Sequence, residues 1–227
     1  MRKGRRRGVV AAALLLAVAL LLLTGYRYHE ARTPEYALGE AAKALKARDY
    51  QAFSTYVDVD SVTEHGYDEG AKALAAHVSE LRTRYPDDPF FWHDQDFMQC
   101  YADAHRTRGL ALAHGILAHF FTGQESDDFA KDPMGYLARE AERMGRQTHA
   151  EIRSIDEKGD EAKAVLHFRG TGEPYGKLTD GIEVGLLLRR QTDGVWKIER
   201  VENAEALVLP VADSAEAFWA LQGWNKQ

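Results

Sequence analysis

Cysteine is nearly absent from this chain. Cys100 is the one example in 227 residues, so no intrachain disulfide can brace the fold, and an oxidising compartment would suit the protein only if that thiol is buried or pairs between chains. The neighbours Phe97, Met98 and Tyr101 point to burial, and no adjacent basic group is placed to activate the sulfur. Linker composition is missing as well. No Gly-, Ser- or Pro-rich stretch divides the roughly 200 residues after the N-terminal segment, a length that can bury a full core in one domain. Catalytic signatures are scarce too. Ser54, Ser61, Ser79, Ser154 and Ser214 lack the strand-turn-helix glycine setting of a hydrolase nucleophile. There is no His-Glu-x-x-His, and Ser126-Asp127-Asp128 resembles an acidic ion loop in composition only. The glycine-bearing stretch from Arg169 to Gly176 joins two expected strands without opening a helix, so it reads as a loop at the rim of a sheet and not as a phosphate cradle. No cofactor and no metal site follow from these residues.

Acidic residues are missing from the first 28 positions, which hold six of the 29 Lys and Arg. Arg2, Lys3, Arg5, Arg6 and Arg7 run into fifteen uninterrupted apolar residues, Val9 to Leu23, and the charge-free stretch continues to Tyr26. That length reaches the lower limit for a membrane helix. With Arg and Lys held on the cytoplasmic side, the expectation is a single-pass signal-anchor through residues 9–26 in a bacterial cytoplasmic membrane, N-terminus inside, the bulk of the chain periplasmic or extracellular. A cleaved signal peptide shares the basic and leucine-rich regions, but the exit Leu-Leu-Thr-Gly-Tyr-Arg-Tyr-His is a poor small-residue cleavage site. Beyond residue 28 there remain 23 basic and 35 acidic groups, a formal charge of −12. Such a surface repels nucleic-acid phosphate and anionic lipid. Basic partners, divalent cations and neutral ligands stay open.

The remaining chain reads as α+β. Residues 29–146 form a mainly helical part, 147–209 a four-stranded antiparallel meander and 210–227 a terminal helix. Thr33-Pro34 starts the first helix as N-cap and N1; Asp49 and Asp60 open the next two, and Pro86 and Pro89 interrupt the pattern before a long helix from about Asp94 to Phe121. Gly109 and Gly115 in that helix either bend it or admit a neighbour closely. A shorter helix runs from near Pro133 to near Gly145. The period then changes from 3.6 to 2: Ala162, Ala164, Leu166 and Phe168 alternate with polar or outward residues. Lys158-Gly159-Asp160 and Asp193-Gly194 supply turns. Asp213, with Glu216 three positions on, is expected to cap the terminal helix bearing Phe218, Trp219, Leu221 and Trp224.

The helix Ala37-Leu-Gly-Glu-Ala-Ala-Lys-Ala-Leu-Lys-Ala-Arg-Asp-Tyr, the element Tyr56-Val57-Asp58 and the closing strand Gly194-Val-Trp-Lys-Ile together resemble a family of uncharacterised bacterial membrane-anchored envelope proteins. In broader outline they resemble the nuclear-transport-factor-like cone, in which helices pack into a curved sheet. The resemblance implies a location and a fold class, and no catalytic residues.

Two candidate sites follow. The polar run Asp87 to Asp96 places His93, Asp94 and Asp96 together, where burial could tune a carboxylate or imidazole for acid–base work or a divalent ion; the competing role of Asp94 is a helix N-cap. Phe90, Phe91 and Trp92 beside them, together with Trp196 on the closing strand, are candidates for contact with an envelope protein or a small apolar molecule. His105, His114 and His119 lie on one helix at spacings that turn them away from each other, and His114 shares a line with Leu110, Leu117 and Phe121 that suggests a core position. The leading expectation is a noncatalytic binding or structural domain, with a small-ligand carrier and a hydrolase or metal-dependent enzyme as alternatives.

Overall fold

The computed structural model describes residues 32–223. Helix α1 (Pro34–Ala47) begins where the Thr33 hydroxyl accepts the Tyr36 N–H at 3.2 Å and Pro34 fills the first turn. Asp49 caps α2 (Tyr50–Tyr56) by accepting the Ala52 N–H at 3.0 Å. The cap of α3 (Val59–Ala76) is Asp58 and not Asp60, with the Ser61 N–H at 3.1 Å. The two-residue displacement has a tertiary cause: Val57 pairs with Ile198 at the sheet edge and Asp58 N–H donates to the Ile198 carbonyl at 2.9 Å, which holds the chain extended until Asp58. The Tyr56-Val57-Asp58 element is thus a joint between helices and sheet.

Helix α4 (Val78–Arg84), a one-turn 3₁₀ helix (Pro89–Trp92), the long α5 (Gln95–Thr122) and α6 (Pro133–Arg146) complete the helical part. Strands β1 (Thr148–Lys158), β2 (Glu161–Gly170), β3 (Glu183–Arg190) and β4 (Trp196–Val201) pair in sequence order, all antiparallel, with the short helix α7 (Pro174–Lys177) between β2 and β3. The α+β class, the four-stranded meander and the C-terminal helix are as expected. Gly159 and Gly194 adopt positive φ at the two expected turns.

The register sets Ala162 beside Leu188, Leu188 beside Ile198 and Ala164 beside Leu186. This face packs against Ala37, Leu38 and Ala41 of α1 and against Val57 and Val59. Leu188 and Trp196 are 0% and 1% exposed, and Trp196 Nε1–H donates to the Arg32 carbonyl at 2.9 Å under the Arg190 guanidinium. Side chains therefore cover this face of the sheet. A second core joins Ala73, Val78, Leu81, Phe91 and Met98 to Val208.

Three expectations need correction. Cys100 is exposed, because it shares the outward face of α5 with Gln99 and Asp103 while Met98 turns inward. The terminal helix, α8 (Ala204–Gln222), starts well before Asp213 and runs through Pro210; contacts of Val208 and Leu209 with the second core hold it together across the missing donor. The membrane anchor is the third. Residues 9–26 lie outside the described residues, and among the described residues no helix is long and apolar enough to cross a membrane. The longest, α5, carries Asp96, Asp103, Arg106 and Arg108, and charged side chains are costly in hydrocarbon. The transmembrane, signal-anchor and membrane-localisation expectations are corrected to that extent: no described helix supplies a span, and the stretch expected to do so is not among the described residues.

Candidate ligand groove

The His93, Asp94 and Asp96 cluster does not converge. Asp94 accepts the Phe97 N–H at 2.8 Å as the cap of α5, and the His93 ring stacks on Phe97 with centroids 3.8 Å apart. Asp96 is exposed in the first helical turn. Stacking continues down the same face through Tyr101 to His105, the last pair at 4.1 Å, so these imidazoles lie against aromatic faces. His114 is half exposed, with Nε2 3.9 Å from Asp60, and His119 faces Asp132 at 3.4 Å. Among the described residues no group of three or more His, Cys, Asp or Glu is arranged to hold a metal ion. Ser61 and His65 meet at 3.3 Å one helical turn apart, but the same Nδ1 also lies 2.9 Å from the Ser61 carbonyl on an exposed face, which is local helix bonding and not a base positioned for a nucleophile.

The aromatic candidates separate. Trp196 is core, and Phe91 is buried against α4. Trp92 is 59% exposed, its indole N–H donating to the Pro86 carbonyl at 2.8 Å. Phe90 and Phe91 together form one end of an apolar groove of about 720 Å³ whose long walls are α3 and α8. Gly66, Gly70 and Leu74 line it from α3, and Leu207, Val208, Val211, Ala215 and Trp219 line it from α8. Its volume lies within the range of small-molecule sites, roughly 300–1,000 Å³.

Sequence periodicity alone did not show this groove, because its openness comes from side chains that are not there. Gly66 and Gly70 stand one turn apart on the groove wall, and a Cβ built on either meets nothing within 4 Å. The two glycines of α5 have packing reasons. On Gly109 a Cβ would lie 2.3 Å from the Tyr67 ring, and on Gly115 2.2 Å from Met134 Sδ, so α5 is glycine-bearing where α3 and α6 approach it. Gly39 and Gly145 also face open space, but each stands alone and neither lines the groove.

The position of α8 as a wall is set by polar contacts. Arg84 holds Asp213 through two bonds at 2.8 and 3.0 Å, and the Tyr85 hydroxyl donates to the same carboxylate. Burial, then the Asp213 carboxylate, push the Tyr85 phenol up to about 12. At the far end of α8, Gln222 donates to Glu140 at 3.2 Å and to the Tyr175 oxygen at 2.9 Å, and accepts from Tyr136 at 2.7 Å. Glu140 is 2% exposed. The Tyr175 hydroxyl donates to its Oε2, while its Oε1 has Arg139 and Arg143 nitrogens at 3.1 and 3.4 Å without an aligned hydrogen bond. This clamp joins α6, α7 and α8. The sequence offered one clue to it: Glu140 follows Tyr136 by one turn on the inward face of α6.

A second hollow, of about 870 Å³, lies on the other side of α8. Three of its polar side chains are engaged within the protein, with Lys177 lining it beside them: Asp180 accepts the Gly170 N–H at 2.9 Å, Asp213 pairs with Arg84, and Ser214 donates to the Leu178 and Pro210 carbonyls. Against this geometry, comparison with known proteins finds no counterpart: no protein-family description, no curated protein and no solved structure matches the chain.

Proposed function

We propose that this chain is a noncatalytic binding protein whose groove between α3 and α8 takes a small apolar ligand. The observation that carries the reading is the Gly66/Gly70 pair. An interior helical glycine costs about 1 kcal/mol relative to alanine, and at these two positions no close approach of a neighbour explains the cost. What the pair does is leave the wall hollow opposite α8. The lining is aliphatic and aromatic apart from Asp88, a composition that desolvates an apolar body and offers few polar groups to perform chemistry on it. The separation of His93, Asp94 and Asp96 supports the noncatalytic part of the reading.

The test is titration of the full chain with a neutral environment-sensitive dye such as N-phenyl-1-naphthylamine. Gly70→Leu places a branched side chain in the groove and raises helix propensity, so the variant is expected to fold and to lose the saturable component of binding. Dye held elsewhere on the chain survives the substitution and serves as the baseline. Unchanged saturable binding in Gly70→Leu sinks the proposal.

A further inference from the structure

The groove carries charge of one sign only. Of the residues lining it, Asp88 is the single ionisable one, and no lysine, arginine or histidine joins it. The position of this carboxylate is built into the turn that precedes the 3₁₀ helix. Its Oδ1 accepts the Phe90 N–H at 2.9 Å, its backbone N–H donates to the Tyr85 carbonyl at 3.2 Å, and its carbonyl accepts the Phe91 N–H at 3.2 Å. The two arginines nearest in sequence are committed elsewhere. Arg82 donates to the Phe91 and His93 carbonyls, and Arg84 holds Asp213. Among the described residues no ion pair neutralises Asp88, and the half-buried carboxylate stands at the mouth of an apolar hollow.

Resting on the groove reading above, we propose that the preferred ligand is a cationic amphiphile: an apolar body along Gly66, Gly70 and the α8 wall, with an ammonium or amidinium head beside Asp88. A carboxylate or phosphate head in that place would meet a fixed negative charge with no cation to offset it, in a setting where the apolar walls reduce screening. A cationic head gains a charge-assisted contact instead. The acidic balance of the chain beyond residue 28, −12, acts in the same direction at longer range.

Competition against the bound neutral dye separates these contributions. Dodecyltrimethylammonium and dodecanoate, both below their micelle concentrations, carry the same chain length and opposite heads. The trimethylammonium compound is expected to displace dye at roughly tenfold lower concentration, the factor that corresponds to a single charge-assisted contact of about 1.4 kcal/mol, and the margin should narrow as salt is raised. Asp88→Asn keeps an oxygen that can accept the Phe90 N–H while removing the charge, so the preference between heads, read as the ratio of the two displacing concentrations within that variant, should largely disappear. Equal displacement by the two compounds in the natural chain overturns the inference, as does a preference that survives Asp88→Asn, which would assign it to the overall field. If Gly70→Leu leaves dye binding intact, the groove itself is refuted and this inference falls with it.

Discussion

Replacing glycine by alanine at four helical positions should give opposite signs from one chemical change. At Gly66 and Gly70 the added methyl enters open space, and the expected result is stabilisation by about 0.5–1 kcal/mol each from reduced backbone entropy in the unfolded chain. At Gly109 the methyl would sit 2.3 Å from Tyr67 Cε2. That ring cannot simply swing aside, because its hydroxyl donates to the Ala102 carbonyl at 2.8 Å. Overpacking of about 1–3 kcal/mol and weakening of a hydrogen bond of about 1 kcal/mol exceed the propensity gain, leaving Gly109→Ala destabilised by roughly 1–3 kcal/mol. Gly39→Ala is the control, since its methyl also meets nothing within 4 Å but lies away from the groove. Urea denaturation of the full chain reads the free energies, and in a thermal melt each kcal/mol should appear as about 2–4 °C for a chain of this size. The same samples titrated with dye should show Gly66→Ala and Gly70→Ala weakening binding modestly while Gly39→Ala leaves it unchanged. Destabilisation by Gly66→Ala and Gly70→Ala on the scale of Gly109→Ala would mean that the groove wall is packed and the space is not there.

The Glu140 clamp and Tyr85 supply two further tests. Glu140→Ala leaves Tyr175 and Gln222 without their shared acceptor and removes the buried carboxylate beside Arg139 and Arg143, and should cost about 3–5 kcal/mol in chemical denaturation, as for the loss of one member of a buried pair; a change below about 1 kcal/mol would show that the clamp is solvated. The Tyr85 phenol is held up to about 12, so the folded state retains that proton more tightly than the unfolded chain. Its contribution to stability should be complete below the ordinary tyrosine range near pH 10 and lost as pH rises through about 12. Burial also pushes up the phenols of Tyr56, Tyr67 and Tyr136, so tyrosinate absorbance should show several late-titrating phenols, the latest of which Tyr85→Phe removes; a latest step that persists in Tyr85→Phe would belong to another tyrosine.

Local chemistry made much of the fold legible in advance. Thr33-Pro34, Asp49 and Asp94 are caps whose geometry depends on a few neighbouring atoms, and each caps the helix it was expected to begin. The alternation from Ala162 to Phe168 and the glycines at 159 and 194 likewise act over a few residues, so the meander followed from them. Asp60 and Asp213 failed as caps for one shared reason. In both regions a nearby contact from a distant part of the chain moved the helix start: the bridge from Val57 to Ile198 for α3, and the packing of Val208 and Leu209 on the second core for α8. Candidate chemistry was less legible, since adjacency in sequence put His93, Asp94 and Asp96 together while the start of α5 sent them in different directions.

Composition and periodicity determined the helix–strand division, the acidic balance beyond residue 28 and the absence of an intrachain disulfide, because those depend on residue identity and on spacing within one element. The tertiary structure alone decided that Trp196 is core while Phe90 borders a hollow, that Glu140 is a buried clamp, and that Gly66 and Gly70 of α3 leave space while Gly109 and Gly115 of α5 admit a neighbour. A void is a relation between elements far apart in the chain, and a glycine carries no mark of which kind it is until the opposite wall is in place.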